Sequence, residues 1–136
     1  MTATLPPADT DAGTVVTMVD GIPGFERCRR FVVVTSTALD PFRCLQSLDG
    51  DQPSFLALDP KAVMPDYALT LGDADRARLD ARAGDALLWL AIVRFDADVA
   101  KINLRAPVVI NPRSMTGLQL IAADSPYSTE HAIPLD

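Results

Sequence analysis

The side chains best suited to chemistry stand together near the C-terminus, in the run DSPYSTEH, which holds Asp124, Ser125, Ser128 and His131, the only histidine of the chain. A hydroxyl nucleophile, an imidazole base and an orienting carboxylate are the parts of a hydrolytic triad. In a working triad those parts converge from separate segments, with the serine often on a strained G-x-S-x-G elbow. No such elbow occurs, and four groups crowded into one short run give poor triad geometry. The run therefore reads first as a C-terminal strand or turn with a structural histidine.

Other chemistries fare no better. Cys28 and Cys44 are the only cysteines and lie outside any C-x-x-C spacing, so with one histidine a zinc site is not expected. The carboxylate pairs Asp49/Asp51, Asp73/Asp75 and Asp96/Asp98 fall at expected turns or a helix start, where Asp bonds its own backbone, and none matches an EF-hand loop. No metal and no cofactor is expected. The stretch DGIPGFE, with Gly21 and Gly24 around Ile22 and Pro23, has the glycines of a phosphate loop. Pro23 removes a backbone donor and no Lys follows, so a tight turn between strands is the simpler reading, with Phe25 assigned to the core. Arg27, Arg29 and Arg30 could face an acidic partner, but three arginines beside a turn are ordinarily solvated.

These residues need a scaffold, and the apolar pattern supplies one. From Thr14 onward short runs such as TVVTMV, FVVVTS, FRCLQSL, FLAL, YALTL, VAKINL, APVVINP and LQLIAA alternate with turn-forming clusters, the spacing of an all-β sandwich or barrel. ALLWLAIVRF suits either a helix or a strand, and its neighbours favour a buried central strand. One segment breaks the rhythm: GDADRARLDARAGD predicts a short surface helix capped by Asp73 and ended by Gly84, shallow because Leu79 is its main apolar anchor. The expected fold is mostly β, a small barrel-like antiparallel domain over residues 14–136 with one short surface helix, behind a flexible tail at 1–13.

Composition limits the partners. The chain of 136 residues carries eighteen acidic and twelve basic side chains, net charge −6, so direct nucleic-acid binding is not expected. The start has no positive charge and no apolar core region, and the run Ala86 to Val93 is far below the roughly 18 residues of a membrane span. A cytoplasmic protein, monomeric when free, fits these features.

A set of short motifs in order is more specific than any of this. GIPGFE (Gly21 to Glu26), an aromatic at Phe31, PF at Pro41 and Phe42, LQS (Leu45 to Ser47), PDY (Pro65 to Tyr67), IV at Ile92 and Val93, NLRAPVVIN (Asn103 to Asn111), GLQLI (Gly117 to Ile121) and SPYSTEH together resemble the flagellar assembly factor FliW family, from about Thr14 to the C-terminus. The resemblance implies a non-enzymatic, barrel-like protein that switches partners. Proteins similar to this one bind newly made flagellin in the cytoplasm. When flagellin is exported they bind the RNA-binding repressor CsrA and antagonise it allosterically, so that flagellin mRNA is translated. An acidic protein beside a basic RNA-binding surface would oppose RNA by like-charge repulsion, an effect that salt weakens.

Two expectations follow for surfaces. The segment TLPPADTDAG stands where relatives place an aromatic-Gly-Glu type strand, so the first strand is lost or replaced and an edge is left open. The contact candidates are Pro65, Asp66 and Tyr67, which combine an acid and an aromatic on a Pro-bounded loop, with Asn103 and Arg105 second; loop closure and β pairing are the competing role for each. The competing function class is a small β-barrel that binds or hydrolyses a small molecule.

Overall fold

Val, Ile and Phe pack well on a pleated, half-buried surface, so runs rich in them become strands where turn residues bound them. A computed structural model describes residues 10–22, 24–35, 37–38, 41–121 and 125–134. Its strands are β1 (Thr10–Met18), β2 (Arg30–Val34), β3 (Arg43–Ser47), β4 (Ser54–Leu58), β5 (Leu88–Asp96), β6 (Val99–Ile102), β7 (Val108–Asn111), β8 (Thr116–Gln119) and β9 (His131–Pro134), with one short helix, α1 (Asp73–Arg78). Hydrogen-bonded neighbours run β4-β3-β2-β1-β8-β7-β5, and β4 also pairs with β5, which closes seven strands into a barrel.

The nine-residue β5 serves two layers. Its residues Leu88 to Leu90 pair with β7 inside the ring, while Val93 to Asp96 pair with β6, and β6 in turn carries β9. The result is a barrel with a two-stranded branch. Alternate residues fill the interior: Val16 and Met18 of β1, Phe31 of β2, Leu45 of β3, Ala57 of β4, Leu90 of β5 and Val108 and Ile110 of β7 form one buried cluster. The opposite faces of the same strands are also covered. The segment around α1 packs Leu71 and Leu79 on Val109 and Leu118, and the branch packs Ala100 and Ile102 on Leu58, Ala91 and Val93. Burial on both faces explains why FVVV, VVIN and LLWLAIV are nearly continuous apolar runs rather than alternating ones.

The mostly β barrel with a short helix is as expected; YALTL, read among the strand-like runs, forms no strand, and five further details differ. First, β1 and β8 run parallel, through Thr17 with Thr116 and Met18 with Gly117, whereas every other pair is antiparallel. Strict up-and-down alternation cannot close around an odd number of strands, so a ring of seven needs a parallel junction. Second, strand pairing starts at Thr10, inside the segment assigned to the tail, with an irregularity before Val15; residues 1–9 lie outside the described residues. Third, β1 is paired on both sides, so the open edge is not there: among the described residues it is the outer edge of β9. Fourth, the helix N-cap is Gly72, with Asp73 and Asp75 in the first turn, where carboxylates suit the helix dipole. The chain leaves the helix at Leu79 rather than at Gly84, because the Leu79 side chain is fully buried and its carbonyl accepts from Asn111 Nδ2 at 3.0 Å, Ser114 Oγ at 2.7 Å and Thr116 Oγ1 at 3.1 Å. Fifth, Phe25 is 42% exposed rather than in the core: Ile22, 4% exposed, takes the inward position of that turn, while Pro23 lies outside the described residues.

The turn between β3 and β4 uses one of the acid pairs structurally. Asp49 Oδ2 accepts from the backbone N–H of Arg29 at 3.0 Å and of Arg30 at 2.8 Å, and its Oδ1 accepts from Arg30 Nε and Nη2 at 2.9 and 2.7 Å. The Arg30 side chain, followed by the two backbone N–H groups, lowers the Asp49 carboxyl from an ordinary value of 3.8 to about 2. A depressed folded-state value means that the clamp's contribution is complete above about pH 4 and is lost as pH falls through 2. The stability difference between wild type and Asp49→Asn is therefore expected to be larger at pH 5 than at pH 2.5 by urea midpoint. An equal difference at both would show that the carboxylate's charge does not hold the turn.

Candidate partner-binding site

The segment after β4 is shaped by its first residues. Asp59 Oδ1 accepts from Lys61 N–H at 2.9 Å and caps a single 3-10 turn, Pro60–Ala62, whose proline fixes the backbone at its start. Met64 N–H then donates to Pro60 O at 3.0 Å and Tyr67 N–H to Met64 O at 2.9 Å. These tight turns leave Pro65 and Asp66 exposed and send Tyr67 inward, where it is 4% exposed.

A buried phenol needs a partner for its hydroxyl, and the loop between β6 and β7 has carbonyls that no strand satisfies. The two needs meet: Tyr67 OH donates to Leu104 O at 2.7 Å. Burial, and secondarily the neighbouring Tyr127, push the Tyr67 phenol up to about 12, so it stays a donor at neutral pH. Tyr127 closes the arrangement from a third segment. Its ring lies 4.5 Å from that of Tyr67 at an angle of 35°. Its hydroxyl accepts from Ala68 N–H at 2.9 Å and donates to Ala68 O at 3.3 Å. Leu104 N–H donates to Ser128 O at 3.0 Å, which ties the third segment to the second.

The candidates named from sequence are thus brought together, with different jobs. Asn103 Oδ1 accepts from the N–H groups of Arg105 and Ala106 at 3.2 and 3.0 Å, a local turn, and Arg105 Nη1 donates to Tyr127 O at 3.4 Å. Tyr67 and Asn103 build the loops, while Pro65 and Asp66 are the groups turned to solvent. Tyr127 was not singled out by sequence reasoning. Its one signal there is its place in SPYSTEH, and nothing in that run tells which carbonyl its hydroxyl will meet. Beside the latch lies a groove of 370 Å³ lined by Asp59, Lys61, Tyr67, Leu69, Leu87 and Trp89.

Among the described residues of DSPYSTEH, the serine hydroxyls are given to local turns. Ser125 is 8% exposed and its Oγ accepts from Tyr127 N–H at 3.1 Å, while Ser128 Oγ accepts from Glu130 N–H at 2.9 Å. Both hydroxyls thus hold turns, and His131 opens β9 opposite Ile102. Asp124 lies outside the described residues. Of the other acid pairs, Asp96 is paired with Lys101 at 3.0 Å, and Asp73 and Asp75 sit in the first turn of α1. Among the described residues no cluster of three or more His, Cys, Asp or Glu could hold a metal, and no helix is long and apolar enough to cross a membrane.

Comparison with known proteins places this scaffold. A family model described as FliW protein matches residues 2–133, which includes the N-terminal stretch expected to depart from the family. A flagellar assembly factor FliW of Geobacter sulfurreducens is 34% identical over 119 residues, 86% of this chain and 74% of that protein. One from Clostridium botulinum is 33% identical over 120 residues, 87% and 85% of the two chains. A crystal structure of the flagellar assembly factor FliW superposes with a TM-score of 0.79 at 28% identity, over 95% of this chain and 88% of that one. These similar proteins are named as assembly factors and not as enzymes.

Proposed function

The chain belongs to the FliW family, and from that premise we propose that it is a flagellar assembly factor that switches partners in the cytoplasm, binding flagellin and, when flagellin is absent, CsrA. The observation that carries the reading is the family match along nearly the whole chain, from residue 2 to residue 133. On this reading it acts by binding, without turnover, and antagonism of CsrA relieves repression of flagellin translation. The net charge of −6 supports a basic partner surface and opposes a direct role for nucleic acid. The exposed Pro65 and Asp66, carried on the loop that Tyr67 latches beside Asn103 and Arg105, form the contact edge in this proposal.

Calorimetric titration of the purified protein, a monomer when free, tests the reading directly. Saturable binding to flagellin and to CsrA is expected, with flagellin blocking CsrA and with weaker CsrA binding at higher salt. Binding to neither overturns the proposal, and CsrA binding that flagellin leaves unchanged overturns the switch.

A further inference from the structure

The turn between β1 and β2 leaves an aromatic ring partly exposed at the barrel surface. Ile22 enters the interior cluster, and three residues later Phe25 is 42% exposed. An isolated antiparallel bridge joins the two, with Phe25 N–H donating to Ile22 O at 2.6 Å and Cys28 N–H to Phe25 O at 2.9 Å. Gly24 N–H donates to Glu26 Oε2 at 3.0 Å. The Phe25 ring meets Phe55 edge-on, with centroids 5.1 Å apart at 80°. An aromatic ring fixed in advance on a hydrogen-bonded turn loses little freedom when a partner covers it, which is the character of an interface anchor.

The surroundings specify what would cover it. Beside the ring is a concavity of 390 Å³ whose lining includes Phe25, buried Cys28, Gly50 and Pro53, with Glu26 and Asp51 on its rim. The bond from Gly24 N–H holds the Glu26 carboxyl below its ordinary range, so it is charged at neutral pH. Asp51 has no ion-pair partner among the described residues, and Arg27 is the one cation in the lining. The other arginines of the RCRR run are already engaged, Arg29 with Val19 O and Arg30 with Asp49. The rim is therefore net acidic, in a chain of net charge −6.

We infer that this concavity is a docking surface for a protein segment that places an apolar side chain against Phe25 and a Lys or Arg between Glu26 and Asp51. The inference rests on the reading of the chain as a partner-binding protein. It adds a contact surface separate from the tyrosine-latched loop, since Pro53 precedes β4 and Asp59 follows it, a span of about 17 Å for five extended residues.

Titrations with CsrA and with flagellin, on wild type, Phe25→Ala and Asp51→Lys, test it, with circular dichroism confirming that each variant is folded. Asp51 lies in an exposed turn, so its substitution reports on the surface even if Phe25→Ala proves unstable. About a tenfold or greater loss of affinity for one of the two partners is expected in Phe25→Ala. Asp51→Lys is expected to weaken the same partner, with a shallower salt dependence. If wild type binds and both folded variants bind within about twofold of it, this surface is overturned and the partner reading stands. If wild type binds neither protein, the partner reading falls, and this surface with it.

Discussion

Leu79→Ala is expected to lower the unfolding free energy by about 2–5 kcal/mol, toward the upper part of that range. The side chain is fully buried and packs with Leu71, Val109, Leu118 and Leu120, so it joins the 71–85 segment to the outer face of β7 and β8. What a cavity costs depends on how far its walls can collapse into it, and here the backbone cannot follow. The Leu79 carbonyl is held by Asn111, Ser114 and Thr116, and Asn111 Nδ2 also donates to Asp85 Oδ2 at 3.2 Å. Arg113 adds bonds to Asp85 and Asp80 from the same turn. The alanine variant keeps these bonds and leaves the space empty. Urea unfolding of the two proteins measures the effect, and a difference below about 1 kcal/mol would show that the segment is only loosely docked.

The same network shows what a sequence can and cannot convey. VVIN, FVVV and VAKI announce strands because composition and turn residues act locally, and the run around Asp73 announces a helix for the same reason. Where each strand pairs is not local. Nothing in TVVTM says that Thr17 will meet Thr116 in parallel, so the one parallel junction was missed. Asn111 reads as a polar strand end, yet it is fully buried because the 79–85 segment folds over it and supplies two carbonyls and a carboxylate.

At the candidate site, PDY was legible as a loop worth naming and Asn103 and Arg105 as further contact candidates, but not that Tyr67 would spend its hydroxyl on Leu104 and so be withdrawn from solvent. Phe25 was misplaced for a related reason. Composition rewards burying an aromatic, while the turn has one inward position and Ile22 fills it. In each case the local chemistry was readable, and the outcome depended on a competitor or partner far away in sequence or in space.

Gly21→Ala is expected to be the most damaging substitution in the first turn, and Gly24→Ala is its internal control. Both glycines have positive φ, 67° and 88°, so alanine at either meets the left-handed penalty of about 1–2 kcal/mol. Only Gly21 is also crowded. A Cβ there would lie 2.7 Å from Glu26 Cα and 2.8 Å from Glu26 O, and these are backbone atoms that cannot swing aside, whereas a Cβ on Gly24 meets nothing within 4 Å. The expected loss is therefore about 3 kcal/mol or more for Gly21→Ala against about 1–2 kcal/mol for Gly24→Ala. Relief of the contact requires Glu26 to move, and Glu26 both receives the Gly24 N–H and adjoins Phe25. Stability and display are thus coupled at this turn: Gly21→Ala should weaken partner binding even under conditions where it is fully folded, while Gly24→Ala should keep most of it. Equal stability losses in the two variants, read from urea midpoints at constant slope, would show that φ alone governs the turn and that the close approach to Glu26 is not what holds Phe25 in place.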